Sequence, residues 1–229
     1  MKKVAVITGA SKGIGLSCAK IFLDNNYIVI NASRTNKHPL SNENYHFIKT
    51  DVAKEADIKK LFDTIIKKFK QVDVLICNAG FARFALLADS KTKDFDEMFA
   101  VNVKGLYLCN RYGLKSMLKK KSGTIINMSS VGGKNGFASA SIYCATKHAV
   151  MGFSAALMAE VRKDNIRVVT VCPGSVDTNF FDHPSAGKTA RRDTLLSPDD
   201  VAKICYLSAE LPDRAMINEI EIRPINPQQ

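Results

Sequence analysis

Short runs of continuous apolar residues alternate along this chain with longer segments in which apolar residues recur every three or four positions. Continuous apolar runs are typical of strands covered on both faces, as in a parallel sheet. The pattern predicts strands at residues 3–7, 27–31, 45–50, 72–77, 124–128, 166–172 and 219–222. Strands of this kind need helices packed on both sides.

The segments between the strands have the period of amphipathic helices. They predict helices at residues 16–25, 53–70, 91–120, 141–163 and 198–209. In the last of these, Ser197 is placed to cap the helix and Pro198 to begin it. The alternation predicts an α/β fold: a Rossmann fold with a doubly wound parallel sheet of about seven strands and helices on both faces. A chain of 229 residues suits one domain spanning residues 1–229.

Two of these helices contain unusual positions. Asn102 lies in the middle of residues 91–120, and asparagine is a poor helix former, so a buried kink or a water site is expected there.

The helix at residues 141–163 has small and apolar residues on nearly all of its sides. One of its faces can cover the sheet, and the other needs a different cover. A symmetric contact between copies of the chain, giving a homo-oligomer (a dimer or a tetramer), is therefore expected.

The chain is basic, with 33 Lys and Arg residues against 22 Asp and Glu and a net charge of +11. The basic residues cluster at predicted helix ends and in loops, at residues 67–68, 119–121 and 191–192, without interleaved aromatic residues. The charge therefore favours solvated lysines and a general preference for anionic ligands over a specific polyanionic partner. No nucleic-acid partner is expected.

The cysteines and histidines point to no metal site or disulfide. The six cysteines are far apart and form no CxxC pair, and the four histidines are equally dispersed, so free thiols in a reducing compartment are expected.

No apolar run approaches the roughly 20 residues of a membrane span. The N-terminus enters a strand without the apolar region of a secretory signal. We expect a cytoplasmic protein that makes no contact with a membrane.

A glycine-rich turn joins the first strand to the first helix. It includes Gly9, Ser11, Lys12, Gly13, Ile14 and Gly15. Glycines in this context allow the backbone to approach a pyrophosphate, whose charge is attracted by the helix N-terminus. The spacing Gly-x-x-x-Gly-x-Gly differs from the commoner dinucleotide motif, and a purely structural turn remains the alternative.

The end of the second strand predicts which dinucleotide binds. An acidic residue there would bind the ribose 2′-hydroxyl of NAD, but this chain has Ser33 and Arg34, with Lys12 in the glycine turn. Two cations and a hydroxyl could surround a 2′-phosphate. The sequence therefore favours NADP(H), the alternative being that Arg34 is a solvent-facing loop residue.

Two further strands end in residues suited to a cofactor. Asp51 and Val52 close the third strand, where Asp51 could bond the adenine edge or cap the next helix. Asn78, Ala79 and Gly80 follow the fourth strand, and such small residues would let a ribose pass over the backbone.

A hydroxyl, a phenol and an amine follow the fifth strand at Ser130, Tyr143 and Lys147. If Tyr143 begins a helix, Lys147 lies on the same face four residues later. A nearby ammonium favours the phenolate, which would make Tyr143 an acid/base catalyst near neutral pH. Taken alone, the spacing also fits a surface helix with an incidental Tyr and Lys.

The segment at residues 179–196 is longer than a usual connection and has no steady period. It contains Phe180, Phe181, His183 and Pro184. We expect it to form a lid over a partly apolar or anionic small-molecule substrate.

With these motifs in this order, the chain resembles the short-chain dehydrogenase/reductase family over essentially its whole length. The shared motifs are Thr8-Gly9-x-x-x-Gly13-x-Gly15, Asn78-Ala79-Gly80, Asn102, Ser130, Tyr143-x-x-x-Lys147 and Pro173-Gly174 with Thr178. The resemblance implies NADP(H) as cofactor, with contacts that extend to Ile14, Val52, Pro173, Gly174, Val176 and Thr178.

The resemblance also implies a role for each catalytic position. Ser130 and Tyr143 would bind the substrate carbonyl oxygen, and Tyr143 would transfer the proton. Lys147 would bind the nicotinamide ribose and depress the tyrosine pKa. Asn102 would hold, through its backbone carbonyl, a water in a proton relay to Lys147.

Two departures from the family pattern bear on function. Cys77 replaces the first asparagine of Asn-Asn-Ala-Gly, at the end of a buried strand. The segment from Ser197 to Pro224 resembles members that act on 3-hydroxy acids and small carbonyl compounds. A 3-oxoacyl-[acyl-carrier-protein] reductase is the alternative, and a catalytically silent NADP-binding sensor is a further one.

Overall fold

A computed structural model describes residues 1–178 and 191–226. Its strands are β1 (Val4–Thr8), β2 (Ile28–Ser33), β3 (Tyr45–Lys49), β4 (Val74–Cys77), β5 (Gly123–Met128), β6 (Ile166–Pro173) and β7 (Glu219–Ile222). Its α-helices are α1 (Gly13–Asp24), α2 (Glu55–Phe69), α3 (Thr92–Phe99), α4 (Leu106–Lys120), α5 (Ser141–Val161) and α6 (Pro198–Glu210).

The seven strands form one parallel sheet in the order β3-β2-β1-β4-β5-β6-β7. The chain moves outward from β1 to β3 and then returns to the other side of β1 at β4. The direction of winding therefore reverses between β1 and β4, and ligands of doubly wound sheets bind outside the carboxyl ends of the strands at such a point. The predicted single-domain Rossmann fold is confirmed.

Alternate residues of each central strand face opposite helical layers. In β1, Val4 and Val6 pack in a core with α2, α4 and α5, and Ala5 and Ile7 pack in a second core with α1 and α6. All four are at most 1% exposed. This double coverage is the physical reason for the unbroken apolar pattern of the strands.

The start of α6 is as predicted. Ser197 Oγ accepts a hydrogen bond from the Asp200 backbone N–H at 3.2 Å, and Asp200 Oδ2 accepts one from the Ser197 backbone N–H at 2.9 Å. This reciprocal pair is a capping box, and Pro198 occupies the first turn. Such a cap satisfies helix-terminal donors that otherwise lack partners.

The predicted helix at residues 91–120 is interrupted. A π-helical segment, Ala100–Gly105, separates α3 from α4. Asn102 lies within it and is 2% exposed. Gly105 packs against Val52 so closely that a Cβ at this position would lie 2.9 Å from Val52 Cγ2. A wider turn changes the backbone hydrogen bonding at this point, and π segments are frequent at functional sites.

Two smaller expectations need correction. The first helix begins at Gly13, within the glycine turn, and not at Leu16. Asp51 does not cap α2, because the N-cap position is Lys54 and Asp51 Oδ1 instead accepts a hydrogen bond from the Ala53 backbone N–H at 3.1 Å. This short local turn leaves the orientation of Asp51 fixed by its own loop.

The predicted lid falls largely outside the described residues, which omit 179–190. Its last part is described and forms a short 3₁₀ turn at Arg192–Thr194, followed by a bridge between Val176 and Leu196. In the described part of the chain, no helix is long and apolar enough to cross a bilayer.

Candidate active site

A cleft of about 1140 Å³ runs along the carboxyl ends of the strands. Almost every residue singled out from the sequence lines it: Gly9, Ser11, Lys12, Gly13, Ile14, Ser33, Arg34, Asp51, Val52, Asn78, Ala79, Gly80, Ser130, Tyr143, Lys147, Pro173, Gly174, Val176 and Thr178. Gly15 and Asn102 are buried beside this lining. Motifs spread over the chain therefore meet in one continuous groove.

The glycine turn has the close approaches that require glycine. Gly13 has a φ of +55°, which side chains rarely adopt, and a Cβ there would lie 3.2 Å from Thr178 Cγ2. A Cβ at Gly15 would lie 2.4 Å from the Gly9 carbonyl oxygen. The bare backbone leaves the start of α1 open to the cleft, where the helix N-terminus favours an anionic group.

Asn78 fastens the end of β4 to the glycine turn. Its Nδ2 donates to the carbonyl oxygens of Thr8 at 3.0 Å and Gly9 at 3.3 Å. The Thr8 hydroxyl in turn accepts from the backbone N–H groups of Asn78 and Ala79, each at 3.0 Å. Thr8 therefore supports the groove from within. It belongs to the glycine motif, but the sequence pattern did not indicate this structural role.

The residues expected around a 2′-phosphate differ in orientation. Lys12 and Arg34 are both exposed and line the cleft. Ser33 also lines it, but its hydroxyl donates inward to Asn31 Oδ1 at 2.6 Å. The Ser33 hydroxyl proton is therefore already engaged, whereas Lys12 and Arg34 are exposed cations in the cleft.

Ser130 and Tyr143 meet across the gap between β5 and α5. Ser130 caps a short 3₁₀ turn by accepting a hydrogen bond from the Gly132 backbone N–H at 3.1 Å. Tyr143, in the first turn of α5, is joined to Ser130 by a side-chain hydrogen bond. The Phe84 ring packs edge-on against the tyrosine with centroids 5.9 Å apart. These contacts fix the phenol in a largely apolar setting.

Burial controls both ionisable groups of this site. It raises the pKa of Tyr143 to about 12, against a smaller lowering by the Ser130 hydrogen bond. It lowers the pKa of Lys147 to about 8. The Lys147 ammonium lies 5.8 Å from the tyrosine ring centroid and donates to the Met128 carbonyl oxygen at 2.8 Å. The expectation that lysine lowers the tyrosine pKa is wrong for this state of the protein, because desolvation of the phenolate dominates.

Asn102 holds the loop beneath the site. Its Oδ1 accepts from the Phe81 backbone N–H at 3.0 Å, and its Nδ2 donates to the Phe81 carbonyl oxygen at 2.9 Å and to Thr146 Oγ1 at 3.2 Å. A Cβ at Gly80 would lie 3.1 Å from Asn102 Oδ1 and 3.7 Å from Lys147 Nζ. The amide therefore joins the loop after β4, the π segment and α5 next to the lysine.

The side of the cleft beyond Tyr143 contains residues that the sequence did not reveal. Phe81, Phe84 and Phe137 line it, and the last two have ring centroids 6.2 Å apart. Arg223, directly after β7, also lines the cleft, and its Nε donates to Glu221 Oε1. A signal for Arg223 was present, because it follows a parallel strand at the edge where the other motifs lie.

The sequence profile of the short chain dehydrogenase family matches residues 3–188. An uncharacterized oxidoreductase of Staphylococcus saprophyticus is 34% identical, over 97% of this chain and 96% of its own length. The chain belongs to the short-chain dehydrogenase family and is an oxidoreductase of that class.

Solved structures agree with this assignment. A serine dehydrogenase complexed with NADP⁺ matches with a TM-score of 0.92 at 28% identity, over 97% of this chain and 95% of that one. A 3-ketoacyl-(acyl-carrier-protein) reductase from Brucella melitensis, complexed with NADH, matches with a TM-score of 0.90 at 26% identity over 97% of both chains. Several other similar structures hold NADP or NADPH. This agrees with the NADP(H) prediction for this chain.

Proposed function

We propose that this protein is an NADP(H)-dependent oxidoreductase that interconverts a carbonyl group and a secondary alcohol. The observation that carries this proposal is the meeting of Ser130, Tyr143 and Lys147 in the cleft that the glycine turn also lines. The residues fit a dinucleotide phosphate: the glycine turn leaves space for a pyrophosphate at the start of α1, and Lys12 and Arg34 supply cations for a 2′-phosphate.

The chain's own groups supply acid/base chemistry and orientation. When bound, the nicotinamide exchanges a hydride with the carbonyl carbon. Ser130 and Tyr143 orient the substrate oxygen, and in the direction of reduction the phenol of Tyr143 donates its proton to that oxygen. The Lys147 ammonium binds the nicotinamide ribose. The backbone carbonyl of Asn102 holds a water that returns the proton through Lys147.

We propose a small carbonyl compound or a 3-hydroxy acid as substrate. Arg223 provides a cation at the rim of the cleft for a carboxylate, and Phe84 and Phe137 provide an apolar wall. The similarity to a serine dehydrogenase is in line with this substrate class. The alternative, a 3-oxoacyl-[acyl-carrier-protein] reductase, is supported by the reductase from Brucella melitensis and by the net charge of +11.

A carbonyl panel tests the proposal. NADPH and NADH are each offered with pairs of ketones that differ only in carrying a carboxylate or its methyl ester, and with a 3-oxoacyl thioester. We expect turnover with NADPH and a lower KM for the carboxylate of each pair. Preference for the thioester would favour the carrier-protein alternative. Binding of NADPH without oxidation across the whole panel would indicate the silent sensor and contradict the proposed function.

We further propose that the protein is a homo-oligomer. On α5, small residues are exposed at Ala145, Gly152 and Ala156. The ring of Phe153 contacts Tyr107 of α4, which is 43% exposed. These small and aromatic side chains, on two helices in contact through Tyr107 and Phe153, support a symmetric helix-to-helix contact between copies.

A further inference from the structure

A polar network lies beneath the segment that carries Arg34. Asn31 of β2 is completely buried. Its Nδ2 donates to the Tyr45 hydroxyl at 2.7 Å and to Asn36 Oδ1 at 3.4 Å, and its Oδ1 accepts from the Ser33 hydroxyl. The Tyr45 hydroxyl donates to Asn36 Oδ1 at 2.9 Å. Asn31, Ser33, Asn36 and Tyr45 therefore form one connected unit, the Asn31 network.

An amide inside a parallel sheet is costly to bury unless its donors and acceptor are bonded. Both ends of Asn31 are bonded, and among the described residues no buried side-chain nitrogen or oxygen lacks a partner. A fully bonded buried network favours a single arrangement of its members. Asn31 thus fixes the positions of Ser33 and Asn36 relative to the sheet.

These two residues flank Arg34. The Ser33 carbonyl oxygen accepts from the Thr50 backbone N–H at 2.9 Å, and the carbonyl oxygen of Thr35 accepts from the Ser11 hydroxyl. The backbone is therefore held before and after Arg34, whereas the arginine side chain itself is exposed in the cleft. The backbone position from which the Arg34 side chain extends is therefore fixed, and this limits where its guanidinium can lie.

We propose that the Asn31 network positions Arg34 for the 2′-phosphate of NADP(H), so that Asn31 and Tyr45 are positioning residues that set the preference for NADP(H) over NAD(H). This inference rests on the proposed binding of NADP(H). A guanidinium binds phosphate through a planar fork of donors, and that contact depends strongly on orientation. NAD(H) has no 2′-phosphate, so a displaced Arg34 weakens the binding of NADP(H) alone.

Tyr45→Phe removes one hydroxyl and keeps the ring in the core. Dissociation constants for NADPH and NADH are measured by calorimetry for the full chain, for Tyr45→Phe, for Arg34→Ala and for the double variant. Tyr112→Phe is the matched control, since it removes a hydroxyl bonded to Glu55 on α2, and thermal unfolding is recorded for every variant. We expect Tyr45→Phe to weaken NADPH about threefold to tenfold and to leave NADH and the Tyr112→Phe control unchanged.

The double variant separates positioning from general stability. If the network acts through Arg34, Tyr45→Phe has no further effect on NADPH in the Arg34→Ala background, because coupled residues are not additive. Equal weakening of both cofactors, or the same loss with and without Arg34, would overturn the inference. If Tyr45→Phe does not fold, Asn36→Ala removes the shared acceptor from a half-exposed position and is measured in the same way. Failure of the wild type to bind NADPH would instead contradict the proposed function.

Discussion

At the scale of single residues, burial decides the protonation of the two central ionisable groups. The phenol of Tyr143 has its pKa raised to about 12, and the ammonium of Lys147 has its pKa lowered to about 8. The sequence places these residues one helical turn apart and so indicates attraction between phenolate and ammonium. It does not reveal how little water surrounds them, and that is why the direction of the tyrosine shift could not be predicted.

These shifts predict opposite pH dependences for the two directions of the reaction. In reduction, Tyr143 must be protonated and stays so through neutral pH, whereas Lys147 loses its charge as the pH rises through about 8. We therefore expect kcat/KM for carbonyl reduction to be constant below pH 7 and to fall above about pH 8. Alcohol oxidation requires the phenolate, so its rate should rise with pH.

Initial rates in both directions between pH 6 and 10 provide the measurement. The control is the dissociation constant of NADPH at each pH, which separates loss of chemistry from loss of binding. A reduction rate that remains constant to pH 10 would mean that the charge of Lys147 is not needed.

At the scale of elements, the π segment is a feature that the sequence pattern predicts only in part. Asn102 indicates a disturbed helix within residues 91–120, and the structure has one at Ala100–Gly105. The kind of disturbance depends on contacts with other elements, such as the two hydrogen bonds between Asn102 and Phe81 and the packing of Gly105 on Val52. The local sequence pattern of a helix does not reveal its contacts with other elements.

Helix capping is local and was predicted correctly at α6, which allows a stability prediction. Ser197→Ala removes the hydroxyl that accepts from the Asp200 backbone N–H. We expect a loss of about 1 kcal/mol in the free energy of unfolding and a melting temperature lower by about 2–4 °C. Chemical denaturation measures the first quantity. Ser41→Ala, at an exposed loop position, should leave stability unchanged, and an equal loss there would contradict the role of the cap.

At the scale of the whole molecule, the fold and most of the cleft follow from the sequence. Parallel strands bring their carboxyl ends to one edge of the sheet, so Gly13, Asn78, Ser130 and Pro173 could be expected to meet there. Contacts between side chains of different elements could not be expected in the same way. The position of Phe84 on Tyr143 is of this kind, because it depends on tertiary packing and not on a repeated pattern.

The proposed assembly predicts a selective effect at Gly152 of α5. A Cβ there has open space within the monomer, so Gly152→Gln should be tolerated by the isolated chain and should even favour the helix by up to about 1 kcal/mol. A longer side chain on a close helix contact should block association. Sedimentation velocity is expected to show a smaller species than the wild type, and Ala56→Gln, at an exposed position of α2, should leave the size unchanged. An oligomer of unchanged size in Gly152→Gln would place the contact elsewhere.

The central claim is that the protein oxidises or reduces a substrate with Tyr143 as its acid/base group. Tyr143→Phe tests it most directly, since phenylalanine keeps the ring that packs on Phe84 and removes only the hydroxyl. Turnover of the best substrate from the carbonyl panel is measured together with the dissociation constant of NADPH. Tyr112→Phe is again the control. We expect NADPH binding within about twofold of the wild type and a loss of about 10²- to 10⁴-fold in kcat, whereas turnover close to that of the wild type would contradict the account.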